Sequence, residues 1–285
     1  MPASAVTIAA NPGCELGENP LWHPERRCVY WTDIPAGKIH RFDCETKQCR
    51  TVYQGVSVGG FTLQQDDSLL LFRVDDIARL TPAGEVLSLG RHSDEGMSRF
   101  NDVIADAEGR VFAGTLGRHP QCGLYRVDVN RQITKLFDGT GCSNGMGFSP
   151  DLKIFYWTCT TTRRIYRFNY DRASGNLSGA SVFYETGPKE GLPDGLAVDA
   201  EGFVWSARWG GKSVVRHRPD GSVCEVREFP VRNITSLCFG GENLNEIFVT
   251  SAREAGVEEG AAGALFRVGT DYRGRTTFRS GVLTA

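Results

Sequence analysis

Four oxygen-bearing side chains recur at matching places along this 285-residue chain: Glu18 in ENPLW, Asn101 in NDVIA, Asn144 in NGMGF and Asp194 in DGLAV. Each opens a short apolar run that leads into a β-rich hairpin. Gly59 in GGFTL and Thr235 in TSLCF open two further runs of the same kind. Successive openings lie 41, 42, 43, 50 and 41 residues apart. If the six repeats are equivalent, two carboxylates and two carboxamides meet in one place. Like charges in a partly desolvated space repel, and one of them takes up a proton unless a cation intervenes. A divalent metal ion resolves that conflict, and an all-oxygen set suits hard ions such as calcium, magnesium or manganese. Asn-Gly and Asp-Gly are also common turn formers. Their recurrence at one repeat position favours a shared site over isolated turns.

The elements that would position these residues follow from the repeat. A period of 40–50 residues belongs to propeller blades or helical arrays, and strand chemistry decides between them. After each opening run comes a turn, such as His23-Pro24-Glu25 or Asp199-Ala200-Glu201-Gly202. A second run follows, rich in Val, Tyr, Phe and Trp: VYWTD, LLLFRV, RVFAGT, IFYWTCT, FVWSAR and IFVTSA. A third, alternating run comes next, such as KIHRFD or GLYRVD, and TVYQGV, LSLG, ITKLF, ASVFYE and EVREFP supply a fourth. β-branched and aromatic residues between Gly, Asp and Pro turns read as antiparallel strands. The expectation is all-β: a six-bladed β-propeller forming a single domain over residues 1–285, with the innermost strand of every blade lining a central channel. The N-terminal AVTIAA is expected to complete the last blade and close the ring. The polar stretch Arg172–Asn176, in the longest repeat, reads as a longer hairpin within one blade.

Bulk properties exclude several classes of function. The 32 basic and 34 acidic residues give a net charge of −2, too balanced to attract nucleic acid or an anionic membrane. A small-molecule partner is expected, with no nucleic acid and no membrane; nothing in the pattern fixes an oligomeric state. No apolar run is long enough to span a bilayer, and Met1–Ala10 lacks a basic start and an apolar core. Nine cysteines without a CxxC pair read as reduced thiols in a cytoplasmic protein. A nucleophilic serine or cysteine mechanism is disfavoured, because there is no GxSxG elbow and no recognisable Cys/His pair.

The segments LGENPLW, WTDIPAGKIHRFD, SRFNDVIADAEGRVFAGT, SNGMGFSPDLKIFYWT, LPDGLAVDAEGFVWSARWGG and TSLCFGGENLNEIFVTSAR cover nearly the whole chain. Together they resemble the senescence-marker-protein, gluconolactonase and luciferin-regenerating enzyme family, which includes regucalcin. The resemblance implies a six-bladed propeller that hydrolyses a sugar lactone to its aldonic acid with one divalent metal ion (calcium, zinc, magnesium or manganese). It implies Glu18, Asn144 and Asp194 as metal ligands, Asp194 also as the catalytic acid/base, and Arg99 and Asn101 as substrate contacts. Two other activities compete: a phosphotriesterase of the diisopropyl-fluorophosphatase type, and a non-catalytic calcium-binding regulatory protein. A bare protein-binding platform fits the polar set less well. Two departures from the family pattern stand out. Cys159 occupies a place where relatives commonly carry Asp, and the short loop Leu116–Cys122 brings Arg118 and His119 where relatives have a longer, acidic loop.

Overall fold

The structure, a computed structural model, describes residues 5–282. The first four residues and the last three, which the single-domain expectation includes, lie outside them. Six four-stranded antiparallel sheets are arranged as a six-bladed β-propeller, with no helix among the described residues. In blades 1 to 5 the strands run outward in chain order. The inner strands are Gly17–His23, Gly60–Leu63, Met97–Ala105, Ser143–Phe148 and Leu192–Val198. Blade 6 starts from Asn233–Gly240, and its outermost strand is the N-terminal Thr7–Ala10, paired antiparallel with Leu265–Gly269. That exchange closes the ring with main-chain hydrogen bonds, as AVTIAA was expected to do. The hairpin at Arg172–Gly175 joins the third and fourth strands of blade 4, also as expected.

No single core holds the molecule. Six hydrophobic clusters are present, and each sits between two neighbouring blades. Trp31 packs between blades 6 and 1, Trp157 between 3 and 4, and Trp205 between 5 and 6, all essentially inaccessible. Sheets covered on both faces need apolar side chains on both faces. That is why the second strands read as near-continuous apolar runs such as Ile154–Cys159.

Glycines set how closely the inner strands approach. A Cβ on Gly59 would stand 2.0 Å from the Phe100 carbonyl oxygen, and one on Gly145 would stand 2.2 Å from the Leu196 amide nitrogen. Gly145 and Gly195 both lie inside strands. The Asn-Gly and Asp-Gly pairs are therefore places of close backbone approach rather than turns.

After the last strand the chain crosses the far end of the channel. The Arg273 carbonyl accepts from Ala200 of blade 5, and the Gly274 amide donates to Leu244 of blade 6. Arg275 Nη1 donates to Ser149 O of blade 4, and Ser280 exchanges backbone bonds with Leu63 and Gln65 of blade 2. The Gly281 amide donates to Gly109 O of blade 3, and Arg279 Nη2 donates to Glu25 Oε2 of blade 1, so the segment straps all six blades together and floors the channel.

Candidate metal centre at the channel mouth

The same irregularity recurs where the expected site residues stand. Pairing between the first and second strands slips between Glu18 and Leu21, Phe100 and Val103, Ser143 and Met146, Pro193 and Leu196, and Ile234 and Ser236. Such bulges re-aim side chains and are enriched beside functional sites. Blade 2 pairs without a slip there, and it offers only glycines.

The repeat position places Glu18, Asn101, Asn144 and Asp194 together at one end of the channel, each about 95% buried. Arg99 joins them, half-buried and within electrostatic reach of Glu18 and Asp194. Their bonding states differ. Asn101 is fully engaged: its Nδ2 donates to Ser143 O at 2.8 Å, and its Oδ1 accepts from Arg99 Nη1. Asn144 Nδ2 donates to Thr160 Oγ1 at 3.1 Å, and Thr160 Oγ1 in turn donates to Pro193 O at 2.8 Å. Asn144 Oδ1, by contrast, is buried with no partner, and so is Asp194 Oδ1. Glu18 Oε2 accepts the Asn19 amide at 3.1 Å. A buried oxygen acceptor without a donor is costly, and here two of them occur in one mouth.

Charge tells the same story. Burial pushes the Glu18 carboxyl well above the carboxylate range, with Asp194 and Asp102 adding to the rise. Burial and then the Asp102 charge do the same to Asp194. Burial alone lifts Asp102 to about 7, against the pull of Arg99. Three carboxylates thus face one guanidinium, a surplus of two negative charges when all are ionised. A divalent cation would remove that surplus, and the two orphaned oxygens offer it ligands. The donor set is all oxygen, which fits a hard ion.

Sequence reasoning missed Asp102. Regular alternation would turn it away from Asn101's side of the strand, but the slip after Phe100 lets it line the channel. Adjacency to Asn101 was the only signal available. The departure at Cys159 also reads differently in place. Cys159 is buried behind the mouth, with its Sγ 3.0 Å from Thr140 Oγ1. The thiol at the mouth is Cys142: it takes a weak contact from Asn144 Nδ2 at 3.8 Å, and burial together with the Asp194 charge pushes it up to about 12. In the short loop, Arg118 bonds Gln121 and pairs with Glu95 at the surface. The exposed His119 packs over Gly141 at the rim.

A six-bladed propeller whose inner strands carry a buried, oxygen-rich mouth with three acidic side chains defines the class. Residues 16–253 match the model of the SMP-30/gluconolactonase/LRE-like region, and the chain belongs to that family. It is similar to a pentonolactonase of Haloferax volcanii, 40% identical across 97% of this chain and 98% of the relative. It is similar also to human regucalcin, 33% identical across 90% and 91%. Among solved structures, a regucalcin of Agrobacterium tumefaciens described as a calcium-binding protein superposes with a TM-score of 0.90, at 26% identity and 97% coverage of both chains.

Proposed function

We propose that the protein hydrolyses a sugar lactone to the corresponding aldonic acid, with one divalent metal ion held by Glu18, Asn144 and Asp194. The observation that carries this reading is the pair of orphaned oxygens, Asn144 Oδ1 and Asp194 Oδ1, in a mouth whose three carboxyl groups face a single guanidinium. Bound there, the ion would supply Lewis-acid polarisation of an ester carbonyl and a lowered pKa for water. The protein's own groups do the rest. Asp194 has a second carboxylate oxygen with which to take a proton from the attacking water. It returns that proton to the ring oxygen as the C–O bond breaks, so one water is consumed and one hydroxy acid forms. General-base assistance of this kind typically contributes 10²–10⁴-fold. Arg99, held by its bond to Asn101 Oδ1, keeps further N–H groups for the sugar hydroxyls and fixes their orientation. Cytoplasmic residence is the compartment that suits nine free thiols.

The similarity to a pentonolactonase makes five-carbon lactones the first substrates to try. A pH-stat assay of pentono- and hexonolactones, with calcium, zinc, magnesium or manganese, reads acid release directly. Turnover should vanish with chelator and return with metal. A protein that binds calcium at the mouth yet turns over no lactone would be a calcium-binding protein, the reading that the regucalcin relatives favour. Release of fluoride from a fluorophosphate triester in place of lactone turnover would point to the phosphotriesterase alternative.

A further inference from the structure

A second ligand cluster lies at the seam where the ring closes, beside the strand that carries Glu18: Asp33 pairs with Gly17. Cys14 sits in the connection between the closing strand Thr7–Ala10 and the inner strand of blade 1. Asp33 ends the second strand of blade 1, and His40 lies in the third. All three are buried, and one ligand atom from each falls within 4.8 Å of the others. We propose that Cys14, Asp33 and His40 bind a zinc ion that pins the ring closure, separate from the ion of the channel mouth.

The chemistry of the donors differs from that of the mouth. A thiolate, an imidazole and a carboxylate form a borderline-soft set, which selects zinc over calcium or magnesium. A tetrahedral zinc with bonds of about 2.0–2.3 Å holds its ligands roughly 3.3–3.8 Å apart, so a closure of about 1 Å brings three protein ligands onto the ion and leaves the fourth position to a water. The thiolate and the carboxylate together match the ion's charge, with the imidazole neutral. Without an ion, burial pushes the Cys14 thiol up to about 12, and the cluster carries no thiolate.

The supporting groups are those a metal site needs. Metal-bound imidazoles commonly engage their second nitrogen with a polar partner, and ligating carboxylates accept hydrogen bonds. His40 Nδ1 meets Thr51 Oγ1 at 3.3 Å, leaving Nε2 available. The two Asp33 oxygens accept the Glu15 and Leu16 amides, each at 3.2 Å. The Trp31 ring covers His40 with 5.3 Å between ring centres. The Cys14 amide donates to Gly263 O of blade 6 at 3.1 Å. There the backbones approach so closely that a Cβ on Gly263 would stand 2.2 Å from Cys14 O. An ion on these ligands therefore fastens the closing segment to blade 1.

The test uses full-length protein stripped with chelator and carrying Asp194→Ala, so that the mouth does not contribute. Zinc should bind with one equivalent and raise the melting temperature, and cobalt should give a thiolate-to-metal charge-transfer band in the near ultraviolet. Adding Cys14→Ser should abolish the band and the thermal shift, and His40→Gln should abolish the shift. Thr51→Val should weaken zinc binding by about 10–100-fold while leaving every ligand in place. Circular dichroism of the metal-free variants establishes that they remain folded; if Cys14→Ser does not, His40→Gln and Thr51→Val carry the test. Absence of zinc binding in the Asp194→Ala protein overturns the proposal. So does a cobalt band that survives Cys14→Ser, since another thiol would then be the ligand. Loss of lactone turnover bears on the mouth alone, so the two readings fail separately.

Discussion

The two ends of the central channel are built from the same six strands and do opposite things. At the mouth the strands begin with Glu18, Asn101, Asn144 and Asp194, buried side chains whose charges conflict and whose oxygens are partly unpaired. At the far end they finish in Trp22, Phe148, Val198 and Phe239, and the segment through Phe278 closes the floor. Between the two ends lies a cavity of about 130 Å³ lined by Asp102, Met146, Leu196 and Phe278, among others. One end stores polar tension that a ligand can relieve, and the other supplies the packing that keeps the tension from opening the ring. Evolution of new chemistry on this scaffold would alter strand beginnings and leave strand ends alone. The division can be broken by experiment from either end.

The largest effect is expected at Asp194. Asp194→Asn keeps the size and one ligand oxygen but removes the basic site. The variant should still bind metal, more weakly, and lose at least about 10²-fold in lactone turnover. Asp194→Ala should lose both. Near wild-type hydrolysis by metal-loaded Asp194→Asn would remove Asp194 from proton transfer. A slightly smaller effect is expected one step behind the mouth. Gly145→Ala drives a methyl group to within 2.2 Å of the Leu196 amide nitrogen, forcing apart the strands that carry Asn144 and Asp194. Overpacking of this kind costs about 1–3 kcal/mol, and a displacement near 1 Å at a site can cost about 10²-fold in rate. Urea denaturation and kinetics on the same sample measure both losses. A stable, fully active Gly145→Ala would mean that the inner strands are not in tight contact.

Much of this was legible in the sequence because each blade repeats the same local physics. Turn residues, strand-forming runs and a polar opening recur at a near-constant period, and equivalent positions in a ring must converge. The convergence of the opening residues on one end of the channel was readable for that reason. What stayed hidden depends on departures from regularity. Asp102 enters the channel only because pairing slips after Phe100. The floor strap, residues 270–282, has no periodicity to read, since its path is set by hydrogen bonds to all six blades. Cys14, Asp33 and His40 have no metal-ligand spacing to read; they meet only because the linker after the closing strand runs beside the hairpin of blade 1. Cys159 drew attention as a substitution, but the register of blade 4 turns it away from the mouth and leaves Cys142 there instead.

Arg99 and Asn101 sharpen the comparison within the mouth itself. Both belong to the substrate side of the proposal, and Asn101 has no orphaned oxygen to offer an ion. Ala substitution of either should lower kcat/KM by about 10-fold or more, the worth of a hydrogen bond to a charged group, with metal affinity kept. Arg99→Ala should if anything tighten metal binding, because it removes a competing positive charge. Loss of metal from Asn101→Ala, read by calorimetry, would move that residue among the ligands.

A pH series adds a signature the far end cannot produce. Glu18, Asp102 and Asp194 all have raised pKa values in the folded, metal-free protein. Raised carboxylates are protonated in the folded state at low pH, and stability is lost as pH rises through their folded values. Metal competes with those protons. The gain in melting temperature from added calcium should therefore grow between about pH 5 and about pH 8. A gain that is flat with pH would mean that the bound ion displaces no protons.

The smallest effect is expected at the floor, and it decides whether the two ends are independent. Phe278 is half-buried, with its ring centre 6.4 Å from that of Phe148 and an arginine, Arg275, 5.9 Å from its own. Phe148 in turn packs edge-on or tilted within the cluster between blades 3 and 4, against Phe112, Phe155 and Tyr170. Full truncation of a buried phenylalanine costs about 3–5 kcal/mol; a half-buried ring against one wall should cost about 1–2 kcal/mol. Its removal enlarges the cavity that Asp102 also lines, but it leaves in place the bonds that fix Asn101 and Asn144, which run sideways to Ser143 and Thr160. Phe278→Ala should therefore lower the urea midpoint while metal affinity and lactone turnover stay within about 2-fold of wild type. A collapse of turnover in a folded, metal-loaded Phe278→Ala protein would show that the strap positions the mouth through the channel, and the functional division between strand beginnings and strand ends would have to be given up.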